Sequence, residues 1–402
     1  MDSPYALKNP EAARRIVKVR TQARTMGTKK NYMSSLTNYF RFALNNGVDP
    51  VLFPIPPLFL QFWISDRAGD ENNVNSLSTW TATIGWLHEL CHKPKTYKDD
   101  GDYQLYLSRL KKQYRKAPKK RLPIRLYHLI EYAKALGVVP GNYSQCSFND
   151  LMSFTLALIT FFTASRPSEI VKSADGYNES GLICDDLGIR RHPRSNKKLH
   201  WLLTVKKFKN QQFRAEPKVI PVASAREGCK STSCVCKMLD PYRLLARYMV
   251  RKAQLAKQKP HLPIFQQKNT DALFIFENGK EVRTTHLGKI AKHIAKVNAV
   301  LEPDRFTAYS FRIGGTTLAS IQGIEKAMIL QYVKWSEDKL PDASHHYILH
   351  SEEQLSLMAR RMLHGKTRFT IRKSDQTVTK VYDPWATSLT MRPAKQPNRS
   401  RG

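Results

Sequence analysis

Apolar side chains recur every three or four residues through much of the first 117 residues. They form one face of a helix over Tyr32–Ala43, which Thr28 is placed to cap. A second apolar segment, Pro57–Ile64, begins with a residue favoured at helix starts, and a third occupies Ser78–Cys91. The pattern predicts a small all-helical domain of four or five helices over residues 23–117.

The second half of the chain combines helical and strand-like patterns. Runs at Trp201–Val205 and Lys218–Val222 are typical of strands and enclose a hairpin or a short sheet edge. The chain is therefore predicted to be mainly α with a small β-sheet, an α+β fold, with a larger domain over residues 126–365. Helical patterns occur at Leu126–Leu136, Leu151–Phe162, Pro241–Ala253, Thr285–Leu301 and Gly314–Gly323.

The charge of the chain points to a polyanionic partner. Its 402 residues include 66 Lys and Arg against 33 Asp and Glu, a formal net charge of +33. Nucleic acid is the first candidate, since so large an excess opposes compaction unless a polyanion neutralises it. An anionic membrane surface is the second, but the longest apolar run, Phe154–Ala164, is shorter than the roughly 20 residues of a spanning helix. No membrane partner is expected.

The two ends of the chain are basic and polar. Residues 1–22 are predicted to be a flexible lead-in, and residues 366–402 a poorly ordered tail. The N-terminus lacks the apolar region of a secretory signal, and the six cysteines are interpreted as reduced thiols. The protein is expected to be intracellular and located with DNA, in the nucleus or in a DNA-containing organelle, rather than secreted.

A basic segment separates the two predicted domains. Seven of the eleven residues from Lys111 to Arg121 are basic, and Pro118 opposes a continuous helix, so residues 118–125 are predicted to be a linker. The segment is interpreted as lying along a phosphate backbone; a solvated helix end and a nuclear-import signal are the alternatives. The candidate DNA-binding residues are Lys111, Lys112, Arg115, Lys116, Lys119, Lys120 and Arg121.

Arg166 lies in the first of three segments that can carry chemistry, Phe162–Ile170. Pro167 disfavours helix at Arg166 and suits the first position of a new helix, so Arg166 is predicted at a helix start, where an arginine and free backbone N–H groups attract anions. Glu169 is close enough in sequence to orient the guanidinium group. A purely structural salt bridge is the alternative.

The second segment, Thr307–Thr317, places Tyr309 and Arg312 three residues apart, on one helical face if Ser310 caps the helix. Gly314 and Gly315 permit the close approach of another backbone. Plain packing is the alternative interpretation.

The third segment contains Trp335 and, after a polar connection with a proline, Tyr347 between His346 and Ile348. On the local sequence alone, Tyr347 can be a surface aromatic, a core residue or a nucleophile.

The order of these segments resembles the tyrosine recombinase (phage integrase) family over residues 23 to about 364. Within it the chain is most similar to the eukaryotic mobile-element recombinases of the DIRS and Crypton type. The boxes that carry this likeness are Ser310–Thr316, Lys209–Phe213 and Cys236–Leu245. The resemblance implies a helical core-binding domain over residues 23–117 and a catalytic domain over residues 126–365, which close as a clamp around double-stranded DNA.

The resemblance also implies roles for individual residues. Arg166 and Arg312 bind the non-bridging oxygens of the scissile phosphate, and Lys209 protonates the leaving 5′ oxygen, with Lys206 and Lys207 as alternatives in register. Trp335 matches the His/Trp position, and Tyr347 the nucleophile that forms a covalent 3′-phosphotyrosine. The implied assembly is a homo-tetramer on paired DNA sites, and the reaction uses no metal, ATP or other cofactor.

The chemistry of these residue types agrees with such roles. The pentacoordinate state of a phosphodiester carries added negative charge, which fixed guanidinium groups stabilise. The same cations stabilise the phenolate of a tyrosine nucleophile, whose ordinary pKa is near 10.

Two features depart from the family pattern. Tyr309 stands where most members have His, and a phenol is a weak general base near neutrality. Tyr347 lies twelve residues after Trp335, and Pro341 falls in this long interval, so Tyr332 is a second candidate nucleophile. These departures favour, as an alternative, a catalytically inactive DNA-binding protein derived from a recombinase. A relaxing enzyme of the type IB topoisomerase kind, which has the same chemistry, is a second alternative.

Metal and nucleotide signatures are weak in this sequence. Cys229, Cys234 and Cys236 lack a fourth ligand at zinc-site spacing, and His345 and His346 are interpreted as surface residues. The sequence has no GK[ST] phosphate loop and no HExxH motif, which argues against an ATPase and a metalloprotease.

Overall fold

The computed structural model divides the chain into two compact units, unit 1 over Met1–Lys119 and unit 2 over Lys120–Gly402. The residues that it describes are 11, 26–69, 74–114, 121–138, 146–173, 181–192, 195–205, 218–222, 237–266, 272–324, 329 and 362.

Unit 1 contains four α-helices of ten residues or more among its described residues. The first helix begins two residues before Thr28, so the predicted cap at Thr28 is wrong and Thr28 lies inside the helix. Pro57 opens the second helix as predicted. The helices are α1 (Met26–Asn45), α2 (Pro57–Ala68), α3 (Leu77–Leu90) and α4 (Gly101–Tyr114).

Large aromatic rings fill the core of unit 1. Trp63 of α2 contacts Tyr39 edge-to-face at 5.3 Å between ring centroids, and it lies 6.4 Å from Trp80 of α3. The buried indole Nε1 of Trp63 donates a hydrogen bond to Asn38 Oδ1 at 3.2 Å. The apolar face that the sequence predicts therefore packs around one tryptophan whose polar atom is satisfied.

Unit 2 is built around one almost completely buried helix. Its bounds are Phe148–Phe162, and Ser147 caps it by accepting a hydrogen bond from the backbone N–H of Asp150 at 3.1 Å. Thr155 and Thr160 within it donate to the carbonyl oxygens four residues earlier, which satisfies two buried hydroxyl groups. The helices of unit 2 are α5 (Leu126–Ala135), α6 (Phe148–Phe162), α7 (Pro167–Ile170), α8 (Pro241–Gln258), α9 (Pro263–Gln266), α10 (Thr284–Val297) and α11 (Tyr309–Ile321).

The helix α6 forms the centre of this core because three helices of 13 to 18 residues, α8, α10 and α11, pack against it. Its end at Phe162 leads directly to Arg166, so the core fixes the position of the Arg166 turn.

A three-stranded antiparallel sheet in the order β1–β2–β3 completes unit 2. The strands are β1 (Leu187–His192), β2 (Ser195–Val205) and β3 (Lys218–Val222). Pro221 in β3 pairs with Leu202, and it is tolerated because β3 is an edge strand. The mainly α fold with a small sheet is confirmed; the clamp around DNA stays a prediction.

The sheet differs from the sequence prediction in its extent. The bounds of β3 are as predicted, but β2 begins six residues earlier than Trp201, and β1 was not predicted at all. In Leu187–His192 the apolar alternation is limited to Leu187 and Ile189, because the segment ends in Arg-Arg-His, and so short a pattern does not predict a strand.

Candidate active site

Arg166 lies at the start of a single-turn helix, as predicted. It precedes Pro167 and has an extended backbone conformation, with φ −69° and ψ 144°, which is the conformation that a following proline imposes. Because α7 has only four residues, its macrodipole adds little, and the expected attraction for anions comes from the guanidinium group itself.

Glu169 holds Arg166 by two contacts. Its Oε1 lies 2.8 Å from Arg166 Nη1, and its Oε2 accepts a hydrogen bond from the backbone N–H of Arg166 at 2.8 Å. The Glu169 side chain is 3% exposed, so the ion pair is shielded from water. The predicted pairing of Glu169 with Arg166 is present, and it fixes the direction of the guanidinium group.

Arg312 reaches the same turn from α11. Its Nη1 donates a hydrogen bond to the carbonyl oxygen of Ala164 at 2.8 Å, across 148 residues of sequence. Ala164 has a left-handed backbone, with φ +46°, in the turn that follows α6. The hydrogen bond to the carbonyl oxygen of Ala164, two residues before Arg166, thus holds Arg312 beside Arg166.

The charge of Arg312 is buried among other charges. The pKa of Arg312 is lowered from 12.5 to about 10, mainly by burial and then by the positive charge of Arg166, whereas Glu169 and Tyr309 act in the opposite direction. Arg312 is 5% exposed and remains protonated at neutral pH because its pKa stays well above 7. The four groups are therefore close enough to affect one another electrostatically.

Two glycines of α11 allow this helix to lie directly against the backbone of Ile124 and Phe161. A Cβ atom on Gly314 would lie 1.8 Å from the carbonyl oxygen of Ile124, and one on Gly315 would lie 2.0 Å from that of Phe161. Real Cβ contacts are never this short, so no other residue fits at either position without movement of the backbone. The predicted close approach at Gly314 and Gly315 is confirmed.

Tyr309 is the first residue of α11 and is 39% exposed. Ser310 does not cap this helix as predicted, because the helix begins one residue earlier. Its hydroxyl instead accepts a hydrogen bond from the backbone N–H of Thr307 at 2.9 Å. Tyr309 and Arg312 nevertheless lie three residues apart on one helical face.

The basic segment is described only at its two ends. Lys111 and Lys112 lie exposed in the last turn of α4. Arg121 belongs to unit 2, and its guanidinium carbon lies 4.9 Å from the centroid of the Tyr309 ring. Sequence reasoning assigned Arg121 to a phosphate backbone and missed this contact, since no local pattern links a linker residue to a position 188 residues later. The remaining candidates, Arg115, Lys116, Lys119 and Lys120, lie outside the described residues.

Other predicted site residues also lie outside the part of the chain that the structure describes. The list comprises Lys209 with its alternatives Lys206 and Lys207, Trp335, Tyr347, Tyr332, Cys229, Cys234, Cys236, His345 and His346. The structure therefore brings together Arg166, Glu169, Tyr309 and Arg312, and the other assignments stay predictions.

A groove in unit 1 offers hydrogen-bond donors to an anion. It has a volume of about 360 Å³ and is lined by Ser34, Thr37, Asn38 and Arg41 of α1 and Arg67 of α2. None of these five residues is acidic. Arg67 lies over the Trp80 ring, with its guanidinium carbon 4.8 Å from the ring centroid, and burial lowers its pKa. The groove can accept a phosphate group.

Within the described ranges, no cluster of three or more His, Cys, Asp or Glu side chains is arranged to hold a metal ion. No helix in the described part of the chain is long and apolar enough to cross a membrane.

The four described groups of the site favour an anion. Two guanidinium groups and one carboxylate sum to one positive charge, and part of this charge is buried. A phosphate bound beside Arg312 would stabilise its protonated form, which burial now disfavours. The arrangement can thus bind and polarise a phosphate group.

The comparison with solved structures found the following similarities. It is similar to the XerH site-specific recombinase bound to its difH substrate in a pre-cleavage complex, with 14% sequence identity and a TM-score of 0.44 over 82% of this chain and 78% of that chain. It is also similar to XerH bound to palindromic difH in a post-cleavage complex, with 13% identity and a TM-score of 0.44 over 84% and 78% of the two chains. No protein-family model and no curated protein matches the sequence.

Proposed function

We propose that this protein is a site-specific DNA recombinase that cleaves and rejoins DNA through a covalent 3′-phosphotyrosyl linkage, without metal or ATP. The observation that carries the proposal is the meeting of Arg166 and Arg312 at one turn, with Glu169 and Tyr309 beside them. The order of the sequence motifs supports the same function and favours a mobile element of the DIRS or Crypton type.

In the proposed reaction, the Tyr347 hydroxyl oxygen attacks the phosphorus atom of the scissile phosphodiester. The new bond joins Tyr347 to the 3′ phosphate, the bond to the 5′ oxygen breaks, and Lys209 donates a proton to that oxygen. The Tyr347 proton passes to water, since Tyr309 is a poor base. Rejoining is the reverse reaction, in which a 5′ hydroxyl attacks the phosphotyrosine and releases the tyrosine.

Arg166 and Arg312 act in this reaction by charge stabilisation. Their guanidinium groups bind the two non-bridging oxygens, which gain negative charge in the pentacoordinate state. Both groups are fixed before substrate binds, Arg166 by Glu169 and Arg312 by the Ala164 carbonyl, so little reorganisation opposes the reaction.

Double-stranded DNA is the proposed partner, held by unit 1 as well as by the site. The net charge of +33 and the groove whose described lining contains Arg41 and Arg67 support this partner. Strand exchange joins two sites with two half-sites each, so we propose a homo-tetramer on paired sites.

Covalent trapping tests the proposed function. The full chain is incubated with nicked suicide substrates drawn from DNA that flanks the gene and from a wider set of sites, and the products are separated on a denaturing gel. Wild type is compared with Tyr347→Phe, with Tyr332→Phe as the matched control. We expect a protein–DNA band that Tyr347→Phe abolishes and Tyr332→Phe retains.

Each other outcome contradicts a part of the proposal. A band that persists in Tyr347→Phe and is lost in Tyr332→Phe moves the nucleophile to Tyr332. Tight, salt-sensitive DNA binding without any band identifies an inactive DNA-binding protein. Rapid relaxation of an unrelated supercoiled plasmid by the monomer identifies a relaxing enzyme rather than a recombinase.

A further inference from the structure

Arg121 is the last residue of the basic segment, yet it contacts the first residue of α11. Its guanidinium carbon lies 4.9 Å from the centroid of the Tyr309 ring, within the range of a cation–π interaction. Arg121 and Tyr309 are both solvent-accessible, so the stacked pair lies at the open edge of the site that contains Arg312.

The backbone after Arg121 is fixed to the beginning of α11. The N–H of Leu122 donates to the carbonyl oxygen of Arg305 at 3.2 Å, and the N–H of Ile124 donates to that of Ser310 at 3.0 Å. The carbonyl of Ile124 in turn packs against Gly314, where a Cβ atom would clash. Arg121 therefore extends from a segment that is bonded to the same helical turn as Tyr309, which makes the stacking part of the local fold.

We propose that Arg121 is a positioning residue for Tyr309 in the cleavage reaction. In this proposal, which rests on the proposed recombinase function, the guanidinium group covers one face of the phenol ring and holds its hydroxyl toward a non-bridging oxygen of the scissile phosphate.

The need for such a residue follows from the chemistry of Tyr309. The Tyr309 side chain is 39% exposed. Its hydroxyl donor is carried at the end of a rigid ring, so a small rotation of the side chain moves the hydroxyl away from a phosphate. A planar cation on one face limits these rotations and adds a third positive charge near Arg166 and Arg312. Arg121, the last residue of the basic segment Lys111–Arg121, thereby connects this segment to the site.

Single-turnover cleavage tests this role, with DNA affinity measured separately in the same full-length proteins. Arg121→Ala removes the cation, Arg121→Lys keeps the charge without the planar group, and Lys134→Ala is the control for loss of one exposed positive charge. At saturating protein we expect Arg121→Ala to reduce the cleavage rate constant about fivefold, with a change in Kd of less than about threefold, because an exposed cation–π contact corresponds to a change of about this size. Arg121→Lys recovers part of the rate, and Lys134→Ala cleaves like wild type.

The pairing with Tyr309 gives a second readout. In a Tyr309→Phe background the hydroxyl is absent, so its position no longer matters, and the further loss on Arg121→Ala falls to about twofold or less. Unchanged cleavage at saturating protein together with weaker DNA binding would overturn the proposal and leave Arg121 a simple backbone contact. Full additivity with Tyr309→Phe overturns it as well.

These outcomes are distinct from failure of the proposed function. If wild type forms no covalent complex on any site, the recombinase function and the role of Arg121 both fall. If wild type is active and Arg121→Ala is equally active, only the role of Arg121 falls. Circular dichroism and thermal unfolding of Arg121→Ala verify that the variant is folded, which is expected because the side chain is exposed.

Discussion

The two arginines of the site are held by different kinds of partner. Arg166 faces a buried carboxylate, which offsets its charge and accepts its backbone N–H as well. Arg312 donates to a neutral carbonyl group, that of Ala164, and its pKa falls to about 10, mainly because it is buried. Arg166 thus lies against an acidic side chain that offsets its charge, whereas Arg312 is held by a neutral carbonyl and has a pKa that burial lowers.

The difference indicates how a phosphate site can be fixed in place and still favour an anion. A second carboxylate beside Arg166 and Arg312 would cancel their remaining positive charge and weaken the binding of an anion. Without any carboxylate, two buried cations would repel each other and destabilise the fold. With two guanidinium groups and one carboxylate, Arg166, Arg312 and Glu169 together keep a net positive charge.

The largest expected effect comes from neutralising either arginine. Arg166→Gln and Arg312→Gln each lower the single-turnover cleavage rate by about 10²–10³ or more, as expected when one donor to the developing charge is removed. We expect DNA affinity to fall little, because in the proposed complex many other cations contact the phosphate backbone of the DNA. Trapping on the suicide substrate measures the rate, and a binding titration measures the affinity.

The same two variants are also expected to differ in their free energy of unfolding. Arg166→Gln leaves Glu169 buried without its cation and lowers the free energy of unfolding by about 3 kcal/mol. Arg312→Gln removes a charge whose folded-state pKa is lowered, a charge that opposes folding below about pH 10, so its destabilisation is smaller. Urea denaturation of both variants decides the point, and a greater loss for Arg312→Gln would contradict the comparison.

The second effect concerns the close approach that brings Arg312 to Ala164. In Gly314→Ala the new Cβ would meet the Ile124 carbonyl oxygen at 1.8 Å, so α11 must move. We expect a loss of about 3 kcal/mol in the free energy of unfolding and a slower cleavage reaction in whatever protein folds.

Gly288→Ala in α10 is the matched control. Its new Cβ would have only the Ala308 nitrogen near it, at 3.9 Å, which is an ordinary contact. The substitution improves helix propensity, so stability is unchanged or higher by up to about 1 kcal/mol. Equal melting temperatures for the two alanine variants would show that Gly314 does not set the approach of α11.

The parts of the site that could be predicted from sequence are the local ones. Pro167 fixes the backbone of Arg166, and Glu169 follows at the spacing of one helical turn, so their pairing is encoded within four residues. The consecutive glycines Gly314 and Gly315 predict that another backbone lies close to them, but they do not predict which segment of the chain it belongs to.

The contacts that sequence reasoning missed depend on the tertiary fold. The partner of Arg312 is the carbonyl of Ala164, which is presented by a left-handed turn at an alanine, and no sequence pattern marks such a turn. The stacking of Arg121 on Tyr309 arises because residues 122–124 bond to the start of α11. Strand β1 escaped prediction because Arg190, Arg191 and His192 interrupt its apolar pattern.

The smallest expected effect is a dependence of the free energy of unfolding on pH, which arises at His128, close in sequence to the segment that bonds to α11. His128, near the start of α5, accepts a hydrogen bond at Nδ1 from the backbone N–H of Arg125 at 3.0 Å, just after the segment that binds α11. Burial, and then the positive charge of Arg125, lower the pKa of His128 from 6.5 to about 4.

The sign of the effect follows from proton binding. Between about pH 6.5 and pH 4 the unfolded chain protonates His128 and the folded chain does not, so the stability present above pH 6.5 is lost as the pH falls through this window. We expect wild type to lose on the order of 2 kcal/mol more than His128→Gln between pH 7 and pH 4.5, by urea denaturation. Gln is the matched variant because it keeps a neutral acceptor at the third position of the helix. Since Ile124 lies four residues before His128, the hydrogen of its amide should exchange faster at pH 4.5 in wild type than in the variant. Equal exchange and an equal loss of stability would show that His128 does not stabilise the contact with α11.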